Sequence, residues 1–200
     1  MKTQTDELPL LYLSSGSPRR QELMQQLNLK FKVINVPIEE QVLPEEDPEA
    51  YVTRIAIKKA QAGFDKVASN QAWIIGGDTA VVLGDEVFGK PESEADAYRM
   101  LSLLSGQTHT VLSAIAIVRD TQVFSALNQT QVTFRVLSEQ EMTEYWSSGE
   151  PIGKAGSYAI QGLGARFIKN LQGSYSGVMG LPLYELDQLL TESGYYNAFV

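Results

Sequence analysis

Four stretches of this 200-residue chain carry residues whose types and spacing could work on phosphate groups. The first is Ser14-Ser15-Gly16-Ser17-Pro18-Arg19-Arg20, where an apolar run stops at a serine- and glycine-rich turn and helical spacing begins. A strand, a tight turn and a helix N-terminus offer backbone N–H groups, hydroxyls and the positive end of a helix dipole. Arginine adds a planar fork able to grip two phosphate oxygens. The spacing is not that of a Walker A loop. An ordinary capped helix with solvated arginines is the competing reading.

The second stretch is acidic. Glu39-Glu40 follow an apolar run closed by Pro37, and Asp78 stands in Gly76-Gly77-Asp78-Thr79. Acids at strand ends suit Mg²⁺, which keeps its waters and shares its substrate's phosphates. Paired glycines before an acid permit close backbone approach. For Glu39-Glu40 a solvated face serves equally well, as it does for Glu45-Glu46-Asp47 and for the acids between Glu92 and Asp96. The third stretch, Phe88-Gly89-Lys90-Pro91, holds a lysine that could act as a point charge on phosphate or simply lie on the surface. In the fourth, Lys154 to Phe167, the Gln161 amide offers an acceptor and a donor pair that match the N3–H and O4 edge of uracil or thymine. A polar residue in a glycine-rich turn is the plain alternative there.

Composition narrows the chemistry. The chain has no cysteine, so a thiolate nucleophile, a disulfide framework and a sulfur-based zinc site are excluded. His109, the single histidine, begins an apolar strand and reads as structural, which disfavours a Ser-His-Asp hydrolase. A net charge of −8 disfavours a long nucleic-acid partner. No apolar run is long enough to span a bilayer and the N-terminus lacks a signal-peptide core, so a cytoplasmic protein is expected.

The elements that must position these residues follow from periodicity. Leu10 to Ser14 predicts a strand, with Ser17 as N-cap and Pro18 opening a helix that turns Leu23, Met24 and Leu27 inward. Phe31 to Val36 predicts a second strand. Asp47-Pro48 opens a long helix that buries Val52, Ile55, Ala56, Ala60, Phe64 and Val67. Trp73 to Ile75 and Thr79 to Leu83 read as two strands either side of the glycines. Ser93 to Ser105 is helical and ended by Gly106. Thr108 to Val118 and Val123 to Val136 predict a long hairpin around Arg119-Asp120. Ser138 with Glu141 forms a capping box for a helix that Gly149 ends. A glycine-rich loop from Gly153 to Gly164, a strand through Phe167-Ile168 and a helix from Leu183 to Glu192 complete the chain. Alternation first and a hairpin later predict an α/β fold with a mixed sheet.

In their order, SGSPRR, EEQ, GGDT, GKP, KAGSYAIQG and GSYSGVMGLPL resemble the Maf family of nucleoside triphosphate pyrophosphatases over nearly the whole chain, Leu11 to about Leu190. Family members typically have alanine where Gly77 stands. The segment around Gln161 is similar to the dTTP/UTP branch. The resemblance implies a single domain over residues 1–200. Its fold would be a long, mixed, twisted sheet flanked by helices, like that of inosine triphosphatases, with an active-site cleft between two lobes.

It also implies cleavage between the α and β phosphates, giving a nucleoside monophosphate and diphosphate, with a divalent cation (Mg, Mn or Co) as cofactor. By position Asp78 would be the proton acceptor for water, with Glu40 beside it near the metal. Arg20, Lys59 and Lys90 would hold phosphate charge, helped by Ser15, while Arg19, Thr79 and Gln161 would govern substrate choice. A homodimer is implied as well. The rival readings are a pyrophosphatase for 7-methyl-GTP or another purine nucleotide, and a nucleotide-binding regulator of cell division without turnover.

Overall fold

The computed structural model describes residues 9–198. Among them the strands are β1 (Leu10–Ser14), β2 (Phe31–Ile34), β3 (Ala72–Leu83), β4 (Glu86–Phe88), β5 (Thr108–Arg119), β6 (Gln122–Phe134) and β7 (Ile168–Gln172). The helices are α1 (Pro18–Gln26), α2 (Pro48–Val67), α3 (Glu94–Leu104), α4 (Glu139–Ser147), α5 (Tyr175–Met179) and α6 (Leu183–Glu192). The seven strands form one sheet in the order β2-β1-β3-β5-β6-β7, with β4 also on β3. β1 lies parallel to β2 and β3, whereas β3–β4 and β6–β7 are antiparallel, so the sheet is mixed as expected.

Two compact units divide the chain. The first takes the residues up to Asp78, Ala114–Leu127 and those from Leu183 onward. Its core holds Leu11 and Leu13 of β1, Leu23 and Met24 of α1, and Ile74 and Ile75 of β3. Each such side chain, fully buried, contributes about 1.5–3 kcal/mol. α2 begins as its sequence predicts, the Asp47 carboxylate accepting from the Glu49 and Ala50 N–H groups at 2.9 and 3.1 Å. Its buried face is Val52, Ile55, Ala56, Ala60 and Gly63. Phe64 and Val67 are only partly buried, because the small Gly63 takes the contact instead.

The second unit holds Thr79–Ser113 and Asn128–Pro182. Its core gathers Phe88, Leu101, Leu104, Val132, Phe134, Tyr145, Tyr158 and Phe167. The capping box of α4 is present, with the Glu141 N–H on Ser138 Oγ and the Glu141 carboxylate back on the Ser138 N–H. Gly106 has φ +71°, in keeping with a helix-ending glycine.

Several local expectations differ. The two strands either side of Gly76-Gly77 are one continuous strand, β3, because both glycines hold extended backbone and serve close packing rather than a turn. β2 stops at Ile34, two residues earlier than its apolar pattern suggests. The Ser17 side chain makes no capping hydrogen bond. The glycine-rich loop contains two 3-10 turns, Ala155–Ser157 and Leu163–Phe167, and the short elements β4 and α5 had no periodic signal to announce them.

Candidate active site

In the first unit β1 delivers the chain to Ser15. Its hydroxyl oxygen accepts the Ser17 N–H at 3.2 Å and the Arg20 guanidinium at 3.4 Å. With both acceptor positions taken, the Ser15 proton is directed to another oxygen. Burial lowers the Arg20 pKa, and the charges of Asp78 and Glu40 oppose that shift. Arg20 is thus a desolvated cation facing two carboxylates. Arg19 lies half-buried in the first turn of α1.

Those carboxylates converge on Lys59. Its ammonium lies 2.7 Å from Asp78 Oδ1 and 2.9 Å from Glu40 Oε1. Lys59 and Asp78 are largely buried, at 13% and 10% side-chain exposure, while Glu40 keeps 37%. The ammonium carries three protons, so one remains for a further acceptor such as a phosphate oxygen.

The backbone around Glu40 is tied down by α2. The Tyr51 hydroxyl donates to the Glu40 carbonyl at 3.2 Å, and Arg54 donates to the Gln41 carbonyl at 2.9 Å. Arg54 also forms a two-toothed pair with Glu46, both contacts at 2.5 Å. Desolvation, with Asp78 and Glu40 adding to it, raises the Tyr51 pKa to about 12, so the hydroxyl stays a donor.

The approach of α2 to β3 sets Lys59 against Asp78. A Cβ built on Gly76 would lie 2.3 Å from the Ala56 carbonyl oxygen and 2.5 Å from the Ala60 nitrogen. One on Gly63 would lie 2.7 Å from Ile74 Cγ2. Glycine at both places lets the helix backbone rest directly on the sheet.

The remaining predicted residues belong to the second unit. Thr79 Oγ1 lies 2.9 Å from Ser113 Oγ, whose hydroxyl reaches the Gly177 carbonyl at 2.6 Å. Lys90 and Gln161 are exposed. Their loops are joined where the Gly156 N–H donates to the Gly89 carbonyl at 3.1 Å. The Gln161 segment is clamped from below by Glu150, which accepts from the Tyr145 hydroxyl (2.7 Å), the Leu163 N–H (2.8 Å) and the Gly164 N–H (2.9 Å). Tyr145 in turn accepts the Ala159 N–H at 3.1 Å. His109 is buried, bonded through Nε2 to the Tyr158 hydroxyl at 2.8 Å and edge-on to Phe134, which agrees with its structural reading.

A sequence model described as Maf-like protein matches residues 10–193. The chain belongs to the Maf-like protein family. It is 52% identical over 187 residues to a protein of Hydrogenovibrio crunogenus named dTTP/UTP pyrophosphatase, covering 94% of this chain and 97% of that one. A protein of the same name from Xanthomonas campestris is 50% identical over 188 residues, covering 92% and 99%. Among solved structures, the Ham1 protein of Staphylococcus aureus is similar with a TM-score of 0.53 at 12% identity, covering 92% of this chain and 98% of its own. That likeness supports the α/β fold.

This Maf-like chain gathers no group of three or more metal-binding side chains among the described residues. Its donor set is two carboxylates already converging on a cation, the Lys59 ammonium. That set suits a hard divalent ion completed by water and phosphate. Sequence reasoning missed Tyr51, Arg54, Tyr145, Glu150 and Ser113. Of these only Ser113 left a signal, as a lone hydroxyl in the apolar run Val111 to Val118.

Proposed function

We propose that this Maf-like chain hydrolyses dTTP and UTP at the α–β phosphoanhydride, releasing the nucleoside monophosphate and diphosphate. The observation that carries the proposal is the convergence of Glu40 and Asp78 on Lys59, facing the desolvated Arg20. Relatives about half identical over nearly their full length, named for that activity, support it.

Anhydride hydrolysis requires an aligned water and neutralised charge more than a covalent nucleophile. Asp78 is the proton acceptor for the attacking water. Its Oδ1 is engaged by Lys59, which leaves Oδ2 for the water's proton as the water oxygen bonds to phosphorus and the bridging oxygen departs with the diphosphate. Arg20, Lys59 and Lys90 hold phosphate charge, and the Ser15 hydroxyl donates to a phosphate oxygen. A divalent cation (Mg, Mn or Co) held by Glu40 and Asp78 supplies further neutralisation when bound. Arg19, Thr79 and Gln161 select the base, the Gln161 amide pairing with N3–H and O4 of uracil or thymine. We further propose that residues 1–200 work as one domain, as a homodimer, in the cytoplasm.

The test is a panel of dTTP, UTP, CTP, GTP, ITP and 7-methyl-GTP, assayed with each cation and with a chelator. Turnover of dTTP and UTP to monophosphate and diphosphate, abolished by the chelator, is expected. Preference for a purine nucleotide, or release of orthophosphate, refutes the reading.

A further inference from the structure

The hydroxyls of Thr79 and Ser113 have a defined direction of donation, which can be worked out from the partner at the end of the chain. Ser113 is fully buried in β5, and its Oγ lies 2.6 Å from the Gly177 carbonyl oxygen. A carbonyl only accepts, so the single Ser113 proton is committed to it. Thr79 Oγ1 lies 2.9 Å from the same Ser113 oxygen. Ser113 has no second proton to give, so Thr79 is the donor of that bond. The Thr79 oxygen can then offer only lone pairs to any other group.

The Gly177 carbonyl is itself held in place. It also accepts the Gly180 N–H at 2.9 Å, which fills both of its lone pairs. The Gly177 N–H is capped by Ser174 Oγ at 3.0 Å. The Ser174 N–H donates to Thr130 Oγ1 at 2.9 Å, and that hydroxyl lies 2.9 Å from Asn128 Oδ1. A Cβ on Gly177 would lie 2.6 Å from Asn128 Oδ1, so a side chain there would push the Asn128 amide aside.

We infer that Ser113 is a positioning residue for base choice: it fixes Thr79 as a hydrogen-bond acceptor that shares the N3–H of uracil or thymine with the Gln161 amide oxygen, favouring those bases over cytosine. The inference rests on the proposed function, in which Thr79 meets the base. A glutamine amide can flip to suit either pyrimidine, so Gln161 alone discriminates poorly. A hydroxyl whose proton is committed elsewhere cannot turn round. Cytosine, with an unprotonated N3, would set lone pair against lone pair, and an unmatched polar contact disfavours that base.

The experiment measures kcat and KM for UTP and CTP with wild type, Ser113→Ala, Thr79→Val and the double variant. Wild type should favour UTP by roughly 10²-fold in kcat/KM. Ser113→Ala releases the Thr79 proton to donate to cytosine, so the UTP/CTP ratio should fall about tenfold, chiefly through a lower KM for CTP. In the Thr79→Val background Ser113→Ala should leave the ratio unchanged. Ser113→Thr, which keeps the hydroxyl, should restore it. Should the alanine protein fail to fold, Ser113→Cys takes its place; its thiol is a weaker donor and acceptor, so a smaller fall in the UTP/CTP ratio is expected. A purely structural role would lower both substrates alike, and a ratio that survives loss of the Ser113 hydroxyl overturns the inference alone. Wild type without preference for UTP overturns the functional reading and the inference together.

Discussion

Adding one methyl group at Gly76 should damage this protein, while the same addition at Gly77 should not. The Gly76 Cβ would meet the Ala56 carbonyl oxygen at 2.3 Å and the Ala60 nitrogen at 2.5 Å, whereas ordinary contact starts at 3.4 Å. The shortfall is about 1 Å, and both obstacles are backbone atoms of α2, so no rotamer change relieves it. The helix must retreat from β3, carrying Lys59 away from Asp78. Overpacking of this kind costs about 1–3 kcal/mol. Displacing a positioned group by about 1 Å costs on the order of 10²-fold in rate.

At Gly77 the added carbon would lie 3.4 Å from the Ala114 carbonyl oxygen and 3.5 Å from Arg20 Nε, with φ outside the left-handed region. Gly77→Ala should therefore hold or raise stability, by up to about 1 kcal/mol, through the stiffer unfolded chain. Urea unfolding of both variants, with UTP hydrolysis measured alongside, decides the matter. A wild-type urea midpoint in Gly76→Ala, or equal damage from the two substitutions, refutes the packing argument.

Asp78→Asn keeps the shape and the contact to Lys59 but removes the base, so kcat for UTP should fall roughly 10²–10⁴-fold with the fold intact; near-normal turnover would take Asp78 out of that role. Glu150→Gln turns one acceptor into a donor facing an N–H, which should cost about 1–3 kcal/mol in stability and raise KM for UTP through the loosened Gln161 segment. Unchanged urea midpoint and KM in that variant would argue against the clamp. Burial lowers the His109 pKa from 6.5 to about 4, so the unfolded chain takes up a proton that the folded protein refuses between those values. Stability should drop as pH falls through that window, by about 2 kcal/mol between pH 7 and pH 5. His109→Phe should flatten the slope in paired urea titrations, and an equally steep slope would exclude His109 as its source.

The chain's own pattern determined the parts that depend on near neighbours. Asp47-Pro48 capped α2, Ser138 with Glu141 capped α4, and the apolar spacing of Val52, Ile55, Ala56 and Ala60 marked one buried face. The motif residues Ser15, Arg20, Glu40 and Asp78 stood out as candidates because chemistry restricts which side chains can serve phosphate, whereas Lys59 entered only through the family resemblance. What tertiary structure decided was contact between distant segments. A glycine pair reads locally as a break, yet Gly76 lies inside a continuous strand, since a helix sixteen or more residues away needs its missing Cβ. The pinning of Glu40 by Tyr51 and Arg54, and the clamp of Glu150 on the Gln161 segment, have no periodic signature at all. The direction of the Thr79 hydroxyl is settled by a carbonyl at Gly177, almost a hundred residues along the chain. A residue type says what a side chain can donate or accept; only the packing of distant backbone says which of those options remains.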